Sequence, residues 1–273
     1  AADADLVYQT AAGFDAADPY SRRPGPGDGA APWLRGRFRF GVPKVSQWEF
    51  FGDEGARELY AQSIERLKSL GGELVEIDYA PFLAAAQLLY AGPWVAERLA
   101  AIQAFAGKHA SEMHPVVRGI ILSGASHSAV NAFDAQYKLA ALRAATLDEW
   151  RKMDVMLLPT TGTIYMRAEV EADPVRLNSN LGHYTNFVNL LDLAAVALPA
   201  GFRQNGLPFG VTLIADAWTE RALLVLTDRM HRALGGRLGG TEAQVEETPA
   251  LAATPATARC VEVAVVGAHL SGQ

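Results

Sequence analysis

The segment from Phe38 to Tyr79 constrains the fold more than any other part of this chain. Phe38-Arg39-Phe40-Gly41-Val42-Pro43 alternates apolar residues with others and halts at proline, the mark of a short strand. From Glu54 to Leu70 the apolar residues Leu59, Ile64, Leu67 and Leu70 recur at helical spacing, and Gly71-Gly72 ends the run. Leu74-Val75-Glu76-Ile77-Asp78-Tyr79 then reads as a second strand. A strand, a helix and a strand in this order usually form a right-handed parallel crossover, so part of the sheet should be parallel.

Residues 3–13 read as the tail of a helix, with Gly13 at its C-terminal cap, and loop follows to Pro32. Residues 81–152 read as almost entirely helical, divided at Pro93, Gly107, Pro115 and Gly124. Asp154 to Pro159 has the continuous apolar core of a buried strand, and Thr160-Thr161-Gly162-Thr163 leaves it as a loop. Asn186 to Ala195 reads as a mostly apolar helix. Val196–Phe202 and Phe209–Ile214 flank an Asn205-Gly206 step, a strong hairpin signal. Glu220 to Leu234 is an amphipathic helix closed by Gly235-Gly236. The organisation expected is a main body over 1–238, a linker over 239–258 that has little to bury, and, over 259–273, the start of a second domain that the chain does not contain. The opening Ala1-Ala2-Asp3-Ala4-Asp5 has no Met, basic region or apolar run, and reads as cut from a longer chain rather than as a signal peptide.

Half of the residues are hydrophobic, enough for a real core and too many for a disordered chain. Lys and Arg number 24 against 30 Asp and Glu, and the net charge of −6 argues against a nucleic-acid partner. No apolar run reaches the ~18 residues of a membrane span. The single Cys260 excludes an internal disulfide framework and any CxxC metal site; it reads as a small buried hydrophobe opening a strand. A cytoplasmic setting fits that usage. No Walker loop, GxGxxG or HExxH is present, and no cofactor is expected. His109-x-x-Glu112-x-His114 is the densest metal-like cluster, but its spacing does not place two ligands one helical turn apart, so no metal is expected. Gly124-Ala125-Ser126-His127-Ser128 superficially resembles a nucleophile elbow; without a preceding strand it reads as a polar break between helices. Tyr90 and Arg98 leave two readings open. An Arg fork can grip a carboxylate with two parallel hydrogen bonds and a Tyr hydroxyl can add a third, or Arg98 can be a solvated residue at a helix start, paired with Glu97 or a neighbour.

Several longer stretches resemble the amidase-signature family. These are Ala12-Gly13-Phe14-Asp15-Ala16-Ala17-Asp18-Pro19-Tyr20-Ser21-Arg22, Leu157 to Tyr165, Asn186 to Leu193, Val196 to Gly201 and Gly206 to Val211. Within that family, Gly92 to Arg98, Tyr184 to Asn189 and the ending Val265 to Gly272 resemble the allophanate hydrolases. The likeness covers nearly the whole chain. It implies an α/β partial amidase-signature fold with a mixed central sheet flanked by helices. It also implies hydrolysis of allophanate, a urea-derived acid bearing an amide and a carboxylate, to ammonia and finally carbon dioxide. In the family a serine attacks, a second serine in a cis peptide relays the proton, a lysine is the base, and backbone N–H groups hold the oxyanion.

The sequence departs from that pattern at its chemical centre. No Ser-Ser or Gly/Ser-rich loop exists, and none of Lys44, Lys68, Lys108, Lys138 and Lys152 lies in such a motif. The resemblance therefore implies the C-terminal portion of an amidase domain, with no catalytic residue to assign and no turnover expected of this chain alone. What carries over is the substrate-binding pair Tyr90 and Arg98, with Thr161 and Thr163 bordering the pocket and Asn189 and Asp192 as structural polar groups. The competing readings are a non-catalytic amidase-like binding protein and another amidase-signature enzyme such as a transamidase subunit. Family members are dimers, and a partial sheet should expose apolar strand edges, so a homo-oligomer is expected.

Overall fold

The computed structural model describes residues 1–252 apart from 27, 237, 238, 240 and 245–248. Cys260 and the expected strand over 261–267 lie outside the described residues. In chain order the regular elements are α1 (Ala2–Ala11), β1 (Phe38–Pro43), α2 (Glu54–Ser69), β2 (Gly72–Ile77), α3 (Ala80–Ala91), α4 (Trp94–His109), α5 (Pro115–Leu122) and α6 (Ala129–Trp150). They continue with β3 (Val155–Pro159), α7 (Arg167–Ala172), α8 (Pro174–Leu181), β4 (Leu193–Phe202), β5 (Pro208–Asp216) and α9 (Glu220–Leu234).

The strands form one mixed sheet in the order β2-β1-β3-β5-β4. β1 pairs in parallel with β2, from Phe38 opposite Gly72 to Pro43 opposite Ile77, as the strand–helix–strand unit requires. β3 joins β1 in parallel and β5 in antiparallel fashion, and β4 and β5 form the hairpin. The hairpin turn is closed by the Gly206 amide donating to the Arg203 carbonyl at 2.9 Å, with Gly206 at φ +80, a conformation that glycine adopts freely.

Successive strand residues face opposite sides of a sheet, and β3 shows the result. Val155 and Leu157 enter a core with Leu59 and Leu67 of α2 and Leu223 and Leu226 of α9. Met156 and Leu158 enter a second core with Phe82 of α3, Tyr184 and Phe187. All five β3 residues are buried, as a strand covered on both faces must be. α2 is held at its start by Asp53, whose carboxylate accepts the Ala56 amide at 2.8 Å, and it buries Ala56, Leu59, Tyr60, Ser63, Ile64 and Leu67 along one stripe. Tyr60 donates its hydroxyl to the Leu157 carbonyl at 2.8 Å, which ties α2 to the middle of the sheet.

Three sequence expectations need correction. α1 ends in extended backbone at Ala12, so Gly13 is not its cap. Gly107 lies inside α4, whose irregularity falls instead at Ile102 (φ −117, ψ 16). Residues 186–195 are not a helix. Residues 182–192 make successive turns, Asp192 takes the left-handed conformation (φ 59), and β4 starts at Leu193. Thr185, Asn186, Val188 and Asn189 are weak helix formers, and pairing of Leu193 to Ala195 with Asp216 to Ile214 of β5 draws those residues into the sheet.

β4 forms one margin of the sheet. It carries no charged residue, and Ala195, Ala197 and Pro199 lie exposed along it. Among the described residues no helix is long and apolar enough to cross a membrane.

Candidate functional site

Tyr90 sits in the last turn of α3 and Arg98 in the second turn of α4. Gly92 ends α3 in extended backbone, its amide donating to the Leu88 carbonyl at 2.9 Å, and Pro93 starts α4. This short break brings the two side chains together: the Arg98 guanidinium carbon lies 5.0 Å from the centre of the Tyr90 ring, a cation–π contact. Both line a cavity of about 400 Å³. Val117, Ile120 and Ile121 of α5 give it an apolar wall, and Asn178 and Ser179 of α8 with Asn186 give it a polar one.

Arg98 makes no ion pair or hydrogen bond among the described residues, whereas Arg39, Arg203 and Arg221 each pair with an aspartate. The solvated-pair reading with Glu97 is therefore not what the structure shows. A partly buried guanidinium facing a cavity without its own carboxylate is suited to receive one from a ligand, because its donors are fixed in a fork and need an acceptor.

The cavity contains two serines, and neither is set up to attack. Ser123 donates its hydroxyl to the Ile120 carbonyl at 2.7 Å, and Ser179 donates to the Val175 carbonyl at 2.8 Å. No lysine or histidine is among the described lining residues. Lys68 pairs with Glu65 and Lys152 with Glu149, each at 2.7 Å. A hydroxyl needs a base within hydrogen-bond reach to become a nucleophile, so these residues can grip an anion but cannot activate an attack on it.

Next to the cavity, His183 is enclosed by aromatic rings, at 4.7 Å from Tyr184 and 5.8 Å from Phe51. Its Nε2 is buried with no partner among the described residues, and burial lowers its pKa below the ordinary 6.5, opposed by the Glu49 charge. Burial also pushes the Tyr184 hydroxyl up to about 12. Sequence reasoning missed Asn178, Gly182 and Asn186. Asn178 lies in α8, Gly182 just past its end and Asn186 in the turns that follow, so no single periodicity in the sequence marks the three together.

The structure does not bring Thr161 and Thr163 to Tyr90 and Arg98. Thr161 borders a different cavity of about 610 Å³, formed by the hairpin and the C-terminal end of α9. Its hydroxyl donates to the Thr163 carbonyl at 3.1 Å. Thr163 is buried and donates to Asp53 Oδ2 at 3.3 Å, beside the ion pair of Asp53 with Arg203. Asp192 pairs with Arg22, while Asn189 is exposed. His109 Nδ1 lies 2.7 Å from Glu112 Oε1. Residues 123–126 form a single 3-10 turn and Ser128 caps α6 with Asn131, so this stretch is the polar break read from the sequence.

The amidase family profile matches residues 1–224. Urea amidolyase of Lachancea kluyveri is 38% identical over 240 residues, covering 85% of this chain and 13% of that protein. The Saccharomyces cerevisiae urea amidolyase is 38% identical over 242 residues with the same shares. Among solved structures, Kluyveromyces lactis allophanate hydrolase superposes with a TM-score of 0.79 at 33% identity, over 85% of this chain and 38% of that one. The K. lactis urea amidolyase gives 0.83 at 32%, over 89% of this chain and 15% of that one. This chain thus spans a minor part of each of these relatives. With its mixed sheet, flanking helices and matched length, the chain belongs to the amidase family.

Proposed function

We propose that this chain carries the substrate-carboxylate site of an allophanate-hydrolysing amidase, the seryl nucleophile, relay and lysine base coming from amidase sequence outside residues 1–273. Arg98 takes the carboxylate through its two parallel N–H donors, and the Tyr90 hydroxyl adds a third bond. The observation that carries this reading is the unpaired Arg98 guanidinium beside Tyr90 in a cavity of about 400 Å³. The identity to the two yeast urea amidolyases and the likeness to K. lactis allophanate hydrolase support it. Thr161 and Thr163 contribute indirectly, by holding the loop after β3.

The same reading includes a cytoplasmic homo-oligomer, a linker over 239–258 and the opening of a further domain over 259–273. The test compares allophanate with biuret, which replaces the carboxylate by an uncharged amide of similar shape. Calorimetric titration of the chain should show tighter binding of allophanate, and Arg98→Met should abolish the preference. Equal affinities in the unsubstituted chain would reject the assignment. Ammonia release should appear only when the complementary amidase segment is supplied, and there Arg98→Ala should raise KM strongly. Turnover by the pure chain, or unchanged kinetics in that variant, would count against the division of labour proposed.

A further inference from the structure

Most polar side chains around the cavity of Tyr90 and Arg98 are already engaged. Ser123 and Ser179 donate to backbone carbonyls, and Asn178 Nδ2 donates to the Pro174 carbonyl at 2.9 Å. The Arg98 guanidinium, the Tyr90 hydroxyl and the Asn186 carboxamide have no hydrogen-bond partner among the described residues. Arg98 and Tyr90 are accounted for by a carboxylate. Asn186 is not, and it offers both an acceptor, Oδ1, and donors, on Nδ2.

Gly182 shows how that carboxamide is held. Its backbone has φ −87 and ψ 1, a turn conformation that most residues adopt, so the turn itself does not call for glycine. Contact does: a Cβ at this position would lie 2.6 Å from Asn186 Oδ1 and 2.7 Å from Asn186 Cγ. The carboxamide therefore rests against the Gly182 backbone, and the Asn186 amide donates to the Gly182 carbonyl at 3.1 Å. Tyr184 and Phe187, on either side in sequence, are buried in the second core and fix the segment. A polar group that serves no internal contact is thus held in place beside the cavity, which lowers the ordering cost of using it on a ligand.

Allophanate has a matching edge. Between its carboxylate and its amide lies one N–H, and the carboxylate oxygen on the same side of the molecule lies next to it. A carboxamide meets such an edge with two parallel hydrogen bonds, Oδ1 accepting the N–H and Nδ2 donating to the oxygen. We propose that Asn186 is a specificity-determining residue that reads the central N–H of allophanate in this way, with Gly182 as its support. This rests on the carboxylate reading above and divides the ligand between two groups: Arg98 recognises the charge, Asn186 the nitrogen.

Malonamate tests the division, because it keeps the carboxylate and the amide and has CH2 in place of the central N–H. In calorimetric titrations the full chain should bind allophanate at least about tenfold more tightly than malonamate, which leaves Oδ1 unsatisfied. Asn186→Ala should bring the two within about twofold while the preference for allophanate over biuret, which retains the N–H, persists. Gly182→Ala keeps Asn186 but displaces its carboxamide, and should lose the malonamate discrimination in the same way. Equal binding of allophanate and malonamate by the unsubstituted chain, with the biuret preference intact, would overturn the role of Asn186 and leave that of Arg98 standing. Discrimination that survives Asn186→Ala would also overturn it. Equal affinities for all three compounds would overturn the carboxylate reading and this one together.

Discussion

The Asp53–Arg203 pair offers a sharp quantitative test of the fold. Arg203 Nε donates to Asp53 Oδ2 at 2.9 Å, and the two side chains are only 5% and 16% exposed. Arg203 also donates to the Pro208 carbonyl and lies 5.5 Å from the Phe209 ring centre. Asp53 at the same time caps α2 and accepts Thr163. The pair thus fastens the hairpin turn to the start of α2 and to the loop after β3. Replacing Arg203 by Met leaves a buried carboxylate without its cation, a loss of about 3–5 kcal/mol. At about 2–4 °C per kcal/mol for a domain of this size, the melting temperature should fall by roughly 6–20 °C. Adding Asp53→Asn should restore most of it, because the carboxamide oxygen still accepts the Ala56 amide and no uncompensated charge remains. Paired thermal and urea denaturation of the single and double variants reads both effects. A single variant within about 1 kcal/mol of the original chain, or a double variant no better than the single, would refute the reasoning.

Other consequences are simpler to measure. A Cβ at Gly124 would lie 2.7 Å from the Val95 carbonyl oxygen and 2.8 Å from Ala96 Cα, so Gly124→Ala must push α4 away. It should cost about 1–3 kcal/mol in urea denaturation and weaken allophanate binding as Arg98 moves with its helix. Because burial lowers the His183 pKa, the unfolded chain takes up a proton as pH falls through 6.5 while the folded chain does not until lower pH. Its contribution is therefore complete above 6.5 and declines as the solution is acidified. The stability difference between the original chain and His183→Phe should then shift in favour of the variant between pH 7.5 and 5.5, and a difference independent of pH would contradict the assignment. Tyr60→Phe, which leaves the Leu157 carbonyl without that donor, should cost about 1–2 kcal/mol by the same denaturation measurement.

Features written in short-range periodicity were legible in the sequence. The crossover over 38–79, the Asn205-Gly206 hairpin and the helix from Glu220 to Leu234 each depend on residues close along the chain. The turns over 182–192 were not legible, because Leu193 to Ala195 follow a demand made by β5 rather than a local preference. The cavity divides in the same way. Tyr90 and Arg98 could be read as neighbours, since one helix break joins them. Asn178 and Asn186 were missed, since they reach the cavity from a segment some eighty residues further on. Thr161 and Thr163 look like neighbours of the pocket along the loop after β3, yet one opens toward the hairpin and the other turns down onto Asp53.

The central position of β3 bears on how the molecule assembles. The crossover and the hairpin each close over short stretches of chain, but β3 must slot between them after the long helical excursion from α3 to α6. Arg39, whose backbone amide and guanidinium both bind Asp154, spans a separation of 115 residues at that seam. Closing so long a loop is entropically the most demanding step. Loop-closure entropy therefore makes the insertion of β3 the expected slow step, and lengthening the 81–152 excursion should slow refolding more than lengthening the turn at 204–206.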